Sequence, residues 1–179
     1  MRPRVPTWTK LAAYAVPLCV LPSALWRFDL LITGIDPACV APGRWWEPYY
    51  IASLSAVSFG ASLLTIGLVS NWGEIFPRWM PFVGGRRVPV SAAVAPACLG
   101  VLFLIFLYAW PTINGHFHFW QPPPIPPDCP LPWEGEFGWV VIAAYAPLLL
   151  WAPLLALVTL HYYRRRTRKT KNALQQKSY

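Results

Sequence analysis

The sequence has little charge for its length. Only 12% of its 179 residues are Asp, Glu, Lys or Arg, and only seven of these are acidic. Soluble domains carry about 25% charged residues, so roughly half the charge that a water-facing surface needs is missing. Hydrophobic residues make up 56% of the chain, and 11 Trp and 8 Tyr favour a membrane interface. The composition argues against a soluble domain and for a membrane protein.

Four long apolar stretches stand out along the chain. Each has about 19 to 24 residues, and they cover 11–32, 51–69, 90–110 and 139–162. About 20 residues of helix cross the hydrocarbon core of a bilayer. The sequence therefore predicts an all-α, polytopic four-helix transmembrane bundle that forms one domain over 11–162, with a short N-terminal segment over 1–10 and a basic tail over 163–179.

Lys and Arg are distributed unevenly between the segments outside these spans. Three lie before span one, three between spans two and three, and seven after span four, whereas only Arg27 and Arg44 lie on the other side. Positive residues are retained in the cytoplasm, so both termini and the middle loop are predicted to be cytoplasmic in the cell membrane. No small-residue cleavage site follows span one, which is expected to be an uncleaved helix.

Arg27 and Asp29 are charged residues close to the end of span one. Charges inside a span mark functional sites by default, which favours a charged outer vestibule for a solute. At 1.5 Å per residue, however, Arg27 lies roughly 25 Å along the helix from Lys10. That position is near the outer edge of a hydrocarbon core about 30 Å thick. The alternative is an interfacial pair that snorkels or meets Glu47 and Asp36, and both interpretations stay open.

His116 and His118 form an H-x-H pair in the segment after span three. Zinc accepts such ligands, and Asp128 and Cys129 follow in the sequence. The spacing is generic and the neighbouring aromatic residues are typical of an interface. The pair is therefore only a weak metal candidate, and the sequence predicts no metal or cofactor.

The middle loop, residues 71–89 between spans two and three, is too apolar for a connector that faces only water. Its aromatic residues are suited to the headgroup boundary and its arginines to lipid phosphates. We predict that it lies flat on the inner leaflet and forms an interfacial loop through Trp72, Glu74, Arg78, Trp79, Arg86 and Arg87.

The same loop carries a resemblance to a family. Trp72-Gly73-Glu74, Pro77-Arg78-Trp79, Pro81, Gly84-Gly85-Arg86 and Val88-Pro89 follow the pattern W-G-E-x-x-P-R-W-x-P-x-x-G-G-R-x-V-P. The stretch resembles a loop of uncharacterised four-helix integral membrane proteins of high-GC Gram-positive bacteria. The likeness covers about 20 residues and implies the fold and the location, but no reaction.

Two further patterns bear on partners. The run Arg164–Lys171 directly after span four anchors the topology and predicts contact with anionic lipids at about 1 kcal/mol per residue. Rows of small residues in span two (Ala52, Ala56, Gly60) and span three (Ala92, Pro96, Gly100) predict close packing inside the bundle, with homo-oligomerisation as the alternative. No nucleic-acid partner is expected.

The remaining signals favour a non-enzymatic accessory or scaffold subunit with a membrane-protein partner. A small oligomeric transporter or channel is the alternative, although no carboxylate lies at mid-membrane depth. A membrane enzyme of thiol or lipid chemistry is the weakest interpretation, because the four cysteines form no C-x-x-C pair.

A disulfide between Cys39 and Cys129 is the first testable prediction. Cys19 and Cys98 fall within spans, whereas Cys39 and Cys129 are the two cysteines in outer loops, where disulfides persist. The bridge would tie the proline-rich loop between spans three and four to the loop between spans one and two. In the chain-entropy model it would contribute on the order of 4 kcal/mol to the free energy of unfolding. Non-reducing mass spectrometry of the native protein should show the linked peptides. Free, alkylatable Cys39 and Cys129 would contradict the prediction.

Overall fold

The protein is an assembly of helices in the computed structural model, which describes residues 5–33, 46–70, 73, 85, 88–121 and 138–177, with side chains as far as Arg168. Over these residues every regular element is helical. The helices are α1 (Thr7–Thr33), α2 (Glu47–Gly67), α3 (Val90–Phe117), α4 (Gly138–Tyr145), a short 3-10 helix (Ala146–Leu150) and α5 (Trp151–Lys177).

Four of the helical runs are long and apolar enough to span a membrane. They are α1, α2, α3 and the continuous run Gly138–Arg168, which joins α4, the 3-10 helix and the first part of α5. The predicted all-α class and the four membrane-length helices are confirmed. The runs extend past the predicted spans, because α3 continues beyond Trp110 through Pro111 and α5 continues to Lys177.

The end of α3 shows how this helix stops. His118 adopts a left-handed conformation with φ of 53°, and its N–H donates to the Asn114 carbonyl at 2.7 Å. The Asn114 side chain then exchanges two hydrogen bonds of 2.8 Å with the backbone of Trp120. Pro111 lies within the helix although an interior proline removes one helical hydrogen bond and crowds the carbonyl four residues earlier.

Helix α1 is the centre of the assembly and packs against α2, α4, the 3-10 helix and α5. Its buried residues are Thr9, Ala13, Val16, Val20 and Ser23. Their alternating spacing of four and three places them along one seam, as in a coiled coil. All five are small or β-branched, so the neighbouring helices approach α1 closely.

The start of α1 and the later part of α5 lie at the same end of the bundle. The Trp8 ring of α1 meets the His161 ring of α5 edge to face, with centroids 5.3 Å apart. The last turn of α2 and the residues before α3 also contact α5 there. We call this end, which holds Thr7, Gly67 and Val90, the terminal end. The opposite end, where α1 and α3 finish and α2 and α4 begin, is called the loop end.

The small-residue rows predicted to pack inside the bundle lie on its surface instead. Ala52, Ala56 and Gly60 of α2 are exposed, as are Ala92 and Pro96 of α3, and Gly100 alone is partly covered. A Cβ added at Gly60 would meet nothing within 4 Å. The prediction of intramolecular packing by these rows was wrong, because the small residues that permit close approach are those of α1.

The fourth membrane-length run is not a continuous α-helix. Pro147 has no N–H to donate, and the chain forms a 3-10 turn over Ala146–Leu150. The Tyr108 hydroxyl of α3 donates to the Leu148 carbonyl in this turn. The irregular turn thereby receives a side-chain donor, and α3 is tied to the fourth run at mid-length.

Tyr108→Phe removes this donor with little change in volume. We expect the free energy of unfolding in lipid micelles to fall by about 0.6 to 1.7 kcal/mol, the range for hydrogen bonds between membrane helices. Tyr14→Phe is the matched control, because Tyr14 lies on α1 and is 52% exposed. Equal stability of the two variants would show that the Tyr108 bond does not hold α3.

Candidate functional site

Three side chains on one face of α5 form the most specific polar arrangement at the terminal end. Tyr162, Arg165 and Arg166 are spaced i, i+3 and i+4, which places them together on a helix. Tyr162 is 1% exposed, and the guanidinium carbons of Arg165 and Arg166 lie 5.7 Å and 5.9 Å from the centre of its ring. We call Tyr162, Arg165 and Arg166 the basal clamp.

The basal clamp donates hydrogen bonds to three backbone carbonyls. The Tyr162 hydroxyl donates to Gly73 at 3.4 Å, Arg165 donates to Leu68 at 3.4 Å, and Arg166 donates to Val88 at 2.7 Å. Leu68 caps the end of α2, Gly73 lies in the first part of the middle loop, and Val88 lies at the end of the loop. One helical face of α5 therefore fastens both ends of the loop.

The acceptors of the clamp are carbonyls that the helices leave without intrahelical partners. Leu68 follows the last turn of α2, where carbonyls lack helical donors and the helix dipole is negative. A guanidinium at this position donates a hydrogen bond to the carbonyl and also places a positive charge at the negative end of the helix dipole. Gly73 contributes through its size, because a Cβ there would overlap the Gly67 carbonyl. The chain after α2 can turn back onto the helix end only with a glycine at this position.

Arg27 lies near the loop end and contacts α4. Its Nε donates to the Tyr145 hydroxyl at 3.2 Å, and its guanidinium carbon lies 5.2 Å from the centre of the Tyr145 ring. Both contacts are directed into the bundle, so Arg27 links the first and fourth membrane-length runs. The sequence offered no signal for Tyr145, because its position beside Arg27 depends on how α1 and α4 pack.

A cleft of about 390 Å³ opens beside this contact. Pro22, Leu25, Trp26 and Asp29 of α1 line one side, and Val140, Ala143 and Ala144 of α4 line the other. Asp29 is exposed, and its carbonyl accepts a hydrogen bond from Thr33 at 2.8 Å. The structure thus places Arg27 and Asp29 at the loop end, with Arg27 held by α4 and Asp29 at the cleft surface.

The other predicted site residues fall into two groups. Cys39 and Cys129 lie outside the described residues, as do Trp72, Glu74, Arg78, Trp79, Arg86 and Arg87 of the interfacial loop. His116 and His118 lie at the end of α3, where the His116 ring meets Phe117. In the described part of the chain, no three His, Cys, Asp or Glu side chains converge as metal ligands would.

The comparisons with known proteins add no relative: no family model, no curated protein and no solved structure matches this chain. The basal clamp holds backbone and concentrates positive charge at one end of the bundle, and the Arg27–Tyr145 contact joins two helices at the other.

The Arg27–Tyr145 contact can be measured with a double-mutant cycle. We expect Arg27→Gln and Tyr145→Leu each to lower the free energy of unfolding in micelles, with a coupling energy of about 0.5 to 2 kcal/mol from the hydrogen bond and the cation–π contact. Tyr145→Phe should keep the cation–π part of the coupling and lose the hydrogen bond. Tyr49→Leu is the control, because Tyr49 is 72% exposed on α2. Strict additivity of Arg27→Gln and Tyr145→Leu would contradict the contact.

Proposed function

We propose that the protein is a non-enzymatic accessory or scaffold subunit of the cell membrane that presents its middle loop to a partner at the cytoplasmic surface. The observation that supports this most strongly is the basal clamp, which fastens residues at both ends of the loop to α5. A segment held at both ends loses less conformational entropy when it binds, so more of the contact energy appears as affinity. The aromatic and arginine residues of the loop are of the types enriched in protein interfaces.

The proposed orientation has both termini and the middle loop in the cytoplasm. The terminal end of the bundle carries Lys10 and the arginines of α5, and both ends of the middle loop are fastened there. Thirteen of the 15 Lys and Arg residues belong to segments that meet this end. The positive-inside rule then assigns the terminal end to the cytoplasm.

A small oligomeric transporter or channel is the second candidate, and the cleft between α1 and α4 favours it. The cleft has a volume of about 390 Å³ and Asp29 at its surface, and Arg27 lies beside it. Transport needs a polar path through the apolar core, and charged residues in spans commonly line such paths.

The subunit proposal predicts a partner that depends on the loop and the clamp. After crosslinking in native membranes, we expect another membrane protein to co-purify at a fixed ratio, and Trp79→Ala to abolish this. The double variant Arg165→Gln/Arg166→Gln should weaken the association, because it releases the ends of the loop. Arg164→Gln is the matched control, since Arg164 is exposed and lies outside the clamp.

The two candidate functions give opposite results in liposomes. The purified chain alone should support no solute flux if it is an accessory subunit. Flux that Arg27→Gln abolishes, without any partner at a fixed ratio, would overturn the subunit proposal in favour of the transporter.

The orientation is tested with reporter fusions. Reporters placed after Lys177 and between Gly84 and Gly85 should indicate the cytoplasm, and one placed near Pro124 should indicate the outside, because positive charge stays inside. A reporter inserted at Arg44 is a second outer control. A cytoplasmic signal at Pro124 would overturn the orientation.

A further inference from the structure

An apolar cleft separates α2 from α3 on the surface of the bundle. It has a volume of about 330 Å³, and residues of both helices line it, including Ala61 and Leu68 on α2 and Ala93 and Phe103 on α3. Trp151 and Leu155 of α5 form its floor. The cleft exists because α3 packs mainly on α5 and not on α2.

The cleft is long and begins at the terminal end. On α2 its lining runs from Leu54 to Leu68, and on α3 from Ala93 to Leu107. Fourteen residues of helix span about 21 Å, which exceeds the roughly 15 Å thickness of one leaflet. The cleft therefore reaches from the membrane surface at the terminal end past the depth of one acyl chain.

Two basal-clamp residues lie where the cleft meets the terminal end. Arg165 donates to the carbonyl of Leu68, which itself lines the cleft, and Arg166 donates to Val88, five residues before Ala93. One guanidinium is thus placed at the end of each wall. Planar guanidinium groups bind phosphate with paired, charge-assisted hydrogen bonds.

We propose that this cleft binds one anionic phospholipid, with an acyl chain between α2 and α3 and the headgroup phosphate at Arg165 and Arg166. Apolar walls, a length that exceeds one leaflet and two cations at the surface end match the chemistry of such a lipid. A transmembrane helix fits less well, because an apolar helix brings no anionic group to Arg165 and Arg166 at the surface end of the cleft. This site shares Arg165 and Arg166 with the basal clamp, but lipid binding in the cleft does not require the protein to be an accessory subunit.

Native mass spectrometry of the delipidated full-length protein tests the site. Phosphatidylglycerol and phosphatidylcholine with identical acyl chains are the probes, added singly at equal concentration. We expect one tightly retained phosphatidylglycerol per chain and weaker retention of phosphatidylcholine. Arg165→Gln and Arg166→Gln should each lower the preference for phosphatidylglycerol about fivefold, as loss of about 1 kcal/mol per arginine implies.

A cleft-filling variant separates this site from general attraction to the basic tail. Ala61→Phe places a large ring in the cleft, at an exposed position about 10 Å from Leu68, and should abolish retention of the first lipid. Ala95→Phe is the matched control, since Ala95 is exposed on α3 and does not line the cleft. Ala61→Phe leaves the clamp and the middle loop intact, so a partner should still co-purify, at most more weakly for want of the lipid, whereas Trp79→Ala should abolish co-purification.

A photoreactive phosphatidylglycerol with the reactive group in its acyl chain gives a second measurement on the unaltered protein. Labelled peptides from α2 and α3 that contain cleft residues are expected. Unchanged lipid retention by Ala61→Phe, equal retention of the two lipids, or labelling spread evenly over the exposed faces would each overturn the proposal. So would a bound second copy or partner helix that Ala61→Phe displaces while lipid retention stays the same.

Discussion

The contact between α5 and the backbone at the ends of α2 and α3 is the interaction on which the terminal end of the protein depends. Carbonyls after the last turn of a helix, or in the turn before the next one, have no helical donors. A buried carbonyl left without a donor costs about 1 to 3 kcal/mol, and hydrogen bonds from charged groups are the stronger ones. The basal clamp supplies donors to Leu68, Gly73 and Val88 from one helical face.

The position of α3 likewise depends on its contacts with the fourth membrane-length run. Leu104 is the one buried residue in α3, and the helix packs on α5 more than on any other element. The Tyr108 bond to Leu148 adds a polar tie where Pro147 interrupts α-helical bonding. A helix held on one side leaves its other side open, and this is why a cleft remains between α3 and α2 while α1 packs closely.

The sequence predicts the helices well and their neighbours poorly. Length and hydropathy locate all four membrane-length runs, because a bilayer-length apolar stretch satisfies its own backbone as helix. The spacing of Tyr162, Arg165 and Arg166 predicts a shared face, but their acceptors are carbonyls, which no sequence pattern marks. Tyr145 was missed for a similar reason, since its partner lies on another helix. The small-residue rows gave a wrong prediction because exposed and packed helix faces can both be rich in small residues. The alternating four-three spacing in α1 was the pattern that coincided with a packed face.

In the proposed lipid site, the arginines that would bind the phosphate also hold the ends of the middle loop, so lipid binding and loop order would be thermodynamically linked. A guanidinium carries five N–H donors in one plane, so one group can donate to a carbonyl along one edge and to a phosphate along another. A phosphate that orients Arg165 and Arg166 would therefore strengthen their hold on Leu68 and Val88, because the side chains are already ordered. Coupling between binding events is reciprocal, so an ordered loop would raise the lipid affinity by the same factor. A partner that docks on the loop would then bind most tightly where anionic lipid is abundant, and the composition of the membrane would set the affinity.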